Sequence, residues 1–158
     1  RLALRHVELD ALHWEPGWQV PKREVFRRRV REALQEGSWV ADGNYSEVRD
    51  IVWAQADTLV WLDYSIPVVL RRLVVRTVRR VATREDLWNG NRETLRGAFF
   101  SRDSLFFYLF KSRRRHRELY PKILQEPTYR HLEVVRLRSP RRARCWLATS
   151  PQEKSPSR

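Results

Sequence analysis

Apolar positions along the chain fall into short runs that alternate with stretches of helical period. "RHVELD" (5–10) reads as a short strand. In "PKREVFRRRVREALQEG" (21–37) the apolar residues Val25, Phe26, Val30, Ala33 and Leu34 share one side of a helix, with Pro21 near its start and Gly37 as its stop. "SWVADGNY" (38–45) reads as a second strand running into a turn, and "SEVRDIVWAQA" (46–56) as a short helix. "DTLVWLDYS" (57–65) is apolar almost throughout, which predicts a strand buried on both faces. A long helix, "PVVLRRLVVRTVRRVA" (67–82), leads through a polar insert around "TREDLWNGNRE" (83–93) to an aromatic helix, "SLFFYLFKSRRRHRELYPKIL" (104–124). The strand "LEVVRLRS" (132–139), the helix "PRRARCWLA" (140–148) and a Ser/Pro-rich tail over 149–158, predicted to be disordered, complete the pattern.

Strands alternating with helices predict a parallel α/β sheet with helices on both faces. Ligands of such sheets sit outside the carboxyl ends of the strands. Asp10, Asp42, Asp63 and Ser139 all fall at or near those ends, which locates the expected site.

Composition narrows the class. The 158 residues suit one domain, and 42% hydrophobic content with seven Trp and six Phe argues for a folded chain. No apolar run approaches the roughly 18–20 residues needed to span a bilayer. The lone Cys145 excludes an internal disulfide, is expected to be a half-buried free thiol, and fits a cytoplasmic setting. With one Cys, and with His6, His13, His116 and His131 at no metal-ligand spacing, no metal site is expected. The chain has no Met, so a processed or truncated N-terminus is expected.

Charge changes the picture most. The formal net charge is +13, and residues 71–117 carry thirteen Arg and one Lys against four acids. Arg in such excess favours bidentate recognition of phosphate or carboxylate. In the long helix Arg72, Arg76, Arg79 and Arg80 recur at i, i+4, i+7 and i+8 and so share a stripe, with Leu70, Leu73, Val74, Val78 and Val81 clustered opposite. The stripe reads either as a solvated basic face or as a seat for a ligand bearing several phosphates.

Two further elements carry candidate chemistry. Asp42 and Gly43 close the second strand, and Asn44, Tyr45 and Arg49 follow as donors for a polar substrate. Gly43 would let backbone approach a ligand, or the four residues are an ordinary turn. Asp10 could accept a hydrogen bond from a substrate hydroxyl or approach magnesium through water; equally, it could cap a helix or turn. His13 and Trp14 either line a pocket or pack, and the run "FFSRDSLFFYLF" reads as core packing or as a base-stacking platform.

The segments "HVELDALHWEPGW", "WVADGNYSEVRDIVW", "ADTLVWLDY", "DLWNGNRETL", "FSRDSL" and "VVRLRSPRRARCWL", in this order and spacing, resemble the adenylate kinase-related P-loop proteins labelled topology modulation proteins. The resemblance covers residues 4–148. It implies a three-layer, nucleoside-kinase-like α/β domain over 1–148, with a lid or helical insert at about 71–120. It also implies binding of ATP and Mg2+ and phosphoryl transfer to a small acceptor. By position, Asp10 resembles the acceptor-side carboxylate, and Asp42, Gly43, Asn44, Tyr45 and Arg49 the acceptor-binding loop. Arg72, Arg76, Arg79 and Arg80 resemble lid-side arginines that close over transferring phosphates. Ser139 and Pro140 match the loop flanking adenine, and Trp88, Asn89, Asn91 and Glu93 of "WNGNRE" match a family segment of the lid or acceptor cap.

The chain departs from that family in one respect. Members begin with a strand, a glycine-rich loop with its Lys, and a helix before the segment equivalent to "RHVELD". Here the five glycines are followed by Trp, Ser, Asn, Asn and Ala, so G-x-x-x-x-G-K-[ST] does not occur in residues 1–158. The expectation is a kinase-like chain supplied without its first strand and phosphate loop and inactive by itself, the strand belonging between those of "WVADG" and "TLVWLD". Two rival readings stand beside it. One is a non-catalytic remnant; the other is a basic nucleic-acid-binding protein, for which "KSRRRHR" would provide phosphate contacts.

Overall fold

The computed structural model describes residues 4–92, 94 and 105–149. Its elements are β1 (Arg5–Glu8), α1 (Leu9–His13), a 3-10 turn (Pro16–Trp18), α2 (Arg23–Leu34), β2 (Trp39–Asp42), α3 (Arg49–Gln55) and β3 (Thr58–Leu62). There follow α4 (Ile66–Ala82), a 3-10 turn (Trp88–Gly90), α5 (Leu105–Ile123), a 3-10 turn (Pro127–Tyr129), β4 (Glu133–Leu137) and α6 (Pro140–Thr149). The result is a mixed α/β chain with two small parallel sheets. β1 pairs with β2 in the register Arg5↔Trp39 to Glu8↔Asp42, and β3 with β4 in the register Thr58↔Glu133 to Leu62↔Leu137. Among the described residues no ladder joins β2 to β3.

Each sheet has its own core. Phe26, Val30 and Leu34 lie on one face of α2 at four-residue intervals. They meet Val7 and Leu9 from the first sheet side and Val48 and Ile51 at the start of α3, all buried. Burying side chains of this size contributes roughly 1.5–3 kcal/mol each. The second core is aromatic: Trp53, Tyr120 and Leu132 are buried, with Leu59, Trp61 and Tyr129 packed on them. Val52 of α3 touches both groups, so α3 fastens the two sheets together. On the outside, Arg27 grips the Asp50 carboxylate with both terminal nitrogens at 2.8 and 2.7 Å, tying α2 to α3.

The carboxyl end of β3 holds the most heavily bonded charge. The Asp63 N–H extends the ladder to the Leu137 carbonyl at 2.9 Å. Its buried carboxylate receives Arg117 (2.7 and 3.1 Å) and Arg136 (2.7 and 3.1 Å), with Arg113 at 3.6 Å. Burial pushes this pKa up, but the hydrogen bonds and charges of Arg117 and Arg136 outweigh it and hold the carboxyl below its usual range.

Four expectations are corrected. β1 stops at Glu8, and Leu9 and Asp10 open α1, because a helical turn drops Leu9 into the core. β3 is not buried on both faces: Leu62 is 56% and Val60 37% exposed, since only its Leu59 and Trp61 side meets the aromatic core. The apolar side of α4 is only partly covered, with Thr77 buried, Leu70, Leu73 and Val81 half-buried, and Val74 and Val78 exposed. Cys145 is exposed rather than half-buried. Of the expected insert at 71–120, residues 71–82 complete α4 and 105–120 belong to α5. Thr149 closes α6; the rest of the tail, Glu93, the "FSRDS" segment and the side chains of 105–111 lie outside the described residues.

Asp63→Asn is expected to cost about 3 kcal/mol at pH 7, measured by denaturant unfolding, because three guanidiniums lose their counter-charge. The wild-type network is intact above the ordinary carboxylate pKa of about 3.9 and is lost as pH falls through the lower folded value. The variant should therefore show a flatter fall of stability below pH 4.

Candidate functional site

The arginine stripe is built by helical spacing alone, and the fold gives it an opposing wall. A cavity of about 650 Å³ is lined by Arg71, Arg72, Arg76, Arg79 and Arg80, with Val68, Val75, Glu85 and Pro140 completing it. Thus all four stripe arginines and Pro140, at the first turn of α6, come together. Ser139 stands just before that turn, where its hydroxyl accepts the Arg142 N–H at 3.3 Å and so serves as a helix cap. The stripe is not uniformly free. Arg80 pairs with Glu85 at 3.7 Å and lies 5.8 Å from the Trp88 ring, and Arg72 sits 5.1 Å over the Tyr64 ring. Among the described residues no carboxylate pairs with Arg71, Arg72, Arg76 or Arg79. The sequence reading missed Arg71, which precedes the stripe by one position and reaches the cavity beside it.

A second cluster surrounds Asp10. The Tyr45 hydroxyl donates to Asp10 Oδ1, and the Tyr45 ring lies 4.3 Å from that of buried His13. Burial lowers the His13 pKa against the opposing pull of Glu47 and Asp10, so the ring is neutral; its Nδ1 is buried without a hydrogen bond. Trp14 packs edge-on against His13 and Trp18 at 4.9 and 5.4 Å. Asp42 is exposed and contacts His6 at 3.2 Å. Gly43 has φ +125°, and a Cβ there would stand 2.7 Å from Leu9 Cβ, so its close approach is to Leu9 of this chain.

A third cluster forms where the loop after β2 meets α5. Tyr120 donates to Asn44 Oδ1 at 2.6 Å, and the Asn44 amide nitrogen lies 2.9 Å from His116 Nε2. The Arg49 guanidinium lies 5.3 Å from both the Trp53 and Tyr120 rings. Nothing in the local sequence marks His116 or Tyr120; only the packing of α5 brings them here. Asp10, Asn44, Tyr45 and Arg49 do not line the arginine cavity among the described residues.

The "WNGN" segment acquires a physical role. Buried Asn91, 4% exposed, accepts the Trp18 N–H at 2.9 Å and donates to the carbonyls of Glu15 and Trp88, both at 2.9 Å. Asn89 donates to the Trp14 carbonyl, and Trp88 Nε1 donates to Glu8 at 2.6 Å. The segment is a clasp on the "HWEPGW" turn. Both turns need left-handed backbone, at Gly17 and Trp18 and at Asn89 and Gly90.

Among the described residues no three His, Cys, Asp or Glu side chains are grouped to hold a metal ion, and no helix is long and apolar enough to cross a membrane. No family model, no curated protein and no solved structure matches this chain.

Gly43→Ala should destabilise the chain by about 1–3 kcal/mol in denaturant unfolding, from backbone strain together with overpacking against Leu9. Loss within 0.3 kcal/mol would show that the loop after β2 relaxes freely.

Proposed function

We propose that this chain is the phosphate-handling part of an adenylate kinase-related, three-layer P-loop phosphotransferase, and that the arginine cavity receives the phosphates of ATP. The observation that carries the reading is the convergence of five arginines, four of them without a carboxylate among the described residues, on one cavity next to the first turn of α6. A volume of about 650 Å³ falls within the roughly 300–1,000 Å³ of small-molecule sites. Guanidiniums crowded on one stripe repel each other, and a polyphosphate relieves that repulsion while the α6 N-terminus adds favourable partial charge. The strand pairing is compatible with the same reading, since the resemblance expects a further strand between β2 and β3, and among the described residues no ladder joins those two.

The donor set fits the nucleotide. Arg71, Arg72, Arg76 and Arg79 would hold phosphate oxygens, and Val68, Val75 and Pro140 offer apolar surface to a base. It does not fit a metal held by protein ligands alone, so magnesium would arrive with the phosphates. Bound ATP supplies the transferable phosphoryl group. In such reactions the protein contributes positioning and charge stabilisation. Asp10, whose carboxylate accepts the Tyr45 hydroxyl, would orient an acceptor hydroxyl. The nucleic-acid reading is less favoured because Arg113 and Arg117 of "KSRRRHR" are engaged internally by Asp63.

No glycine-rich phosphate loop lies within residues 1–158, so the test is binding rather than turnover. In calorimetric titration, ATP and inorganic tripolyphosphate should bind saturably, and the Arg76→Ala/Arg79→Ala pair should weaken both at least tenfold, about 1.4 kcal/mol. Unchanged affinity would return the stripe to solvated surface. Tighter, steeply salt-dependent binding of random duplex DNA would favour the nucleic-acid reading.

A further inference from the structure

We propose that a second, smaller cavity between the end of β3 and α5 is a binding site for a small tetrahedral oxyanion of the phosphate type. The cavity measures about 150 Å³, and its walls include Asp63, Tyr64, Ser112, Arg113 and His116. Water occupies about 30 Å³ per molecule in the liquid, so this space holds about five waters. That admits one oxyanion and is too small to enclose a whole nucleotide.

Arg113 and Asp63 face each other in the walls, and the charge around them is one-sided. Arg113, Arg117 and Arg136 gather around a single carboxylate, Asp63, whose side chain is 1% exposed and already bonded to Arg117 and Arg136. Arg113 is held loosely by that carboxylate at 3.6 Å while its Nε donates to the Tyr64 carbonyl at 3.0 Å. Among the described residues Arg49 has no carboxylate partner, and its Nε is buried without a hydrogen bond. Surplus positive charge in a narrow cleft concentrates anions there.

A hydrogen-bond relay positions His116. The Tyr120 hydroxyl donates to Asn44 Oδ1, which fixes the amide with its nitrogen toward His116. That nitrogen is 2.9 Å from Nε2 and 3.4 Å from Nδ1, so the amide packs against the ring and helps hold His116 in the cavity wall. Burial, then the charges of Arg49 and Arg115, lower the His116 pKa and keep the ring neutral. A ring N–H of His116 and the Arg113 guanidinium, both in the cavity wall, would then offer donors to oxyanion oxygens.

This site stands apart from the arginine cavity and does not rest on the nucleotide reading. The two adjoin through one contact: Tyr64 lines the small cavity, and Arg72, which lines the large one, stacks on its ring. The oxyanion has two possible sources, free phosphate or the phosphate end of a phosphomonoester.

The test titrates the full chain with orthophosphate by calorimetry at neutral pH and moderate salt. Saturable binding is expected, weakened at least tenfold in His116→Ala. A nucleoside 5′-monophosphate that displaces orthophosphate one for one supports the site and assigns it to a phosphomonoester; saturable orthophosphate binding without displacement supports it as a free-ion site. Wild-type protein gives a second readout that needs no variant to fold, a shift of the His116 imidazole nitrogen resonances on adding orthophosphate. No saturable binding, unmoved imidazole signals, or a loss that follows the Arg76/Arg79 pair instead of His116 would overturn the proposal.

Discussion

The arrangement depends on one buried charge. Asp63 stands where β3 ends, and it draws Arg136 from β4 and Arg113 and Arg117 from α5 onto a single carboxylate. Without it those guanidiniums would repel one another across the junction of β3, β4 and α5. With it, α5 has a fixed rotation about its axis, and that rotation carries His116 and Tyr120 to the loop after β2. The next residue, Tyr64, then stands at the boundary of both cavities. An isolated buried ion pair adds little to stability, because desolvation offsets attraction. Its worth here is positional, since it chooses one packing of α5 over others.

A second constraint joins the far end of α4 to the first sheet. Arg80 lies over the Trp88 ring, Trp88 donates to Glu8 at the end of β1, and Asn91 binds the turn that follows α1. The last turn of the arginine stripe is thereby fixed relative to Asp10, although Asp10 does not line the arginine cavity. The clasp consists almost wholly of hydrogen bonds between side-chain amides and backbone, which makes it short-ranged and exacting in geometry. The result is a rigid link between the helix that bears the arginine stripe and the segment that carries Asp10.

Much of the element order was legible because it rests on local period. The i, i+4, i+8 spacing of Phe26, Val30 and Leu34 and the short apolar runs of the four strands needed no tertiary information. The stripe was legible for the same reason. What escaped were consequences of contacts distant in sequence. Leu62 reads as a buried strand residue, yet it is exposed because burial depends on which neighbours cover each face. Asp10 reads as a strand end, yet the core's demand for Leu9 turns the chain one residue earlier. Asn91 could be matched only by resemblance, because Glu15 and Trp18, which it binds, lie more than seventy positions upstream. His116 carried no signal, since its value comes from Asn44 and Tyr120 on two other parts of the chain.

Arginine in such excess is informative only after it is sorted by partner. Arg27, Arg29, Arg113, Arg117 and Arg136 each meet a carboxylate, and with it they tie one element to another. Arg71, Arg72, Arg76 and Arg79 meet none among the described residues, and they share one cavity. Solubility alone would scatter unpaired cations over the surface, where each is best hydrated. Concentrating them on a single helix face raises the electrostatic cost of the unliganded state, and the binding of a polyanion lowers it. Net charge therefore says little about this chain by itself. The separation of paired from unpaired guanidiniums is what distinguishes the arginines that tie elements together from those that line the large cavity.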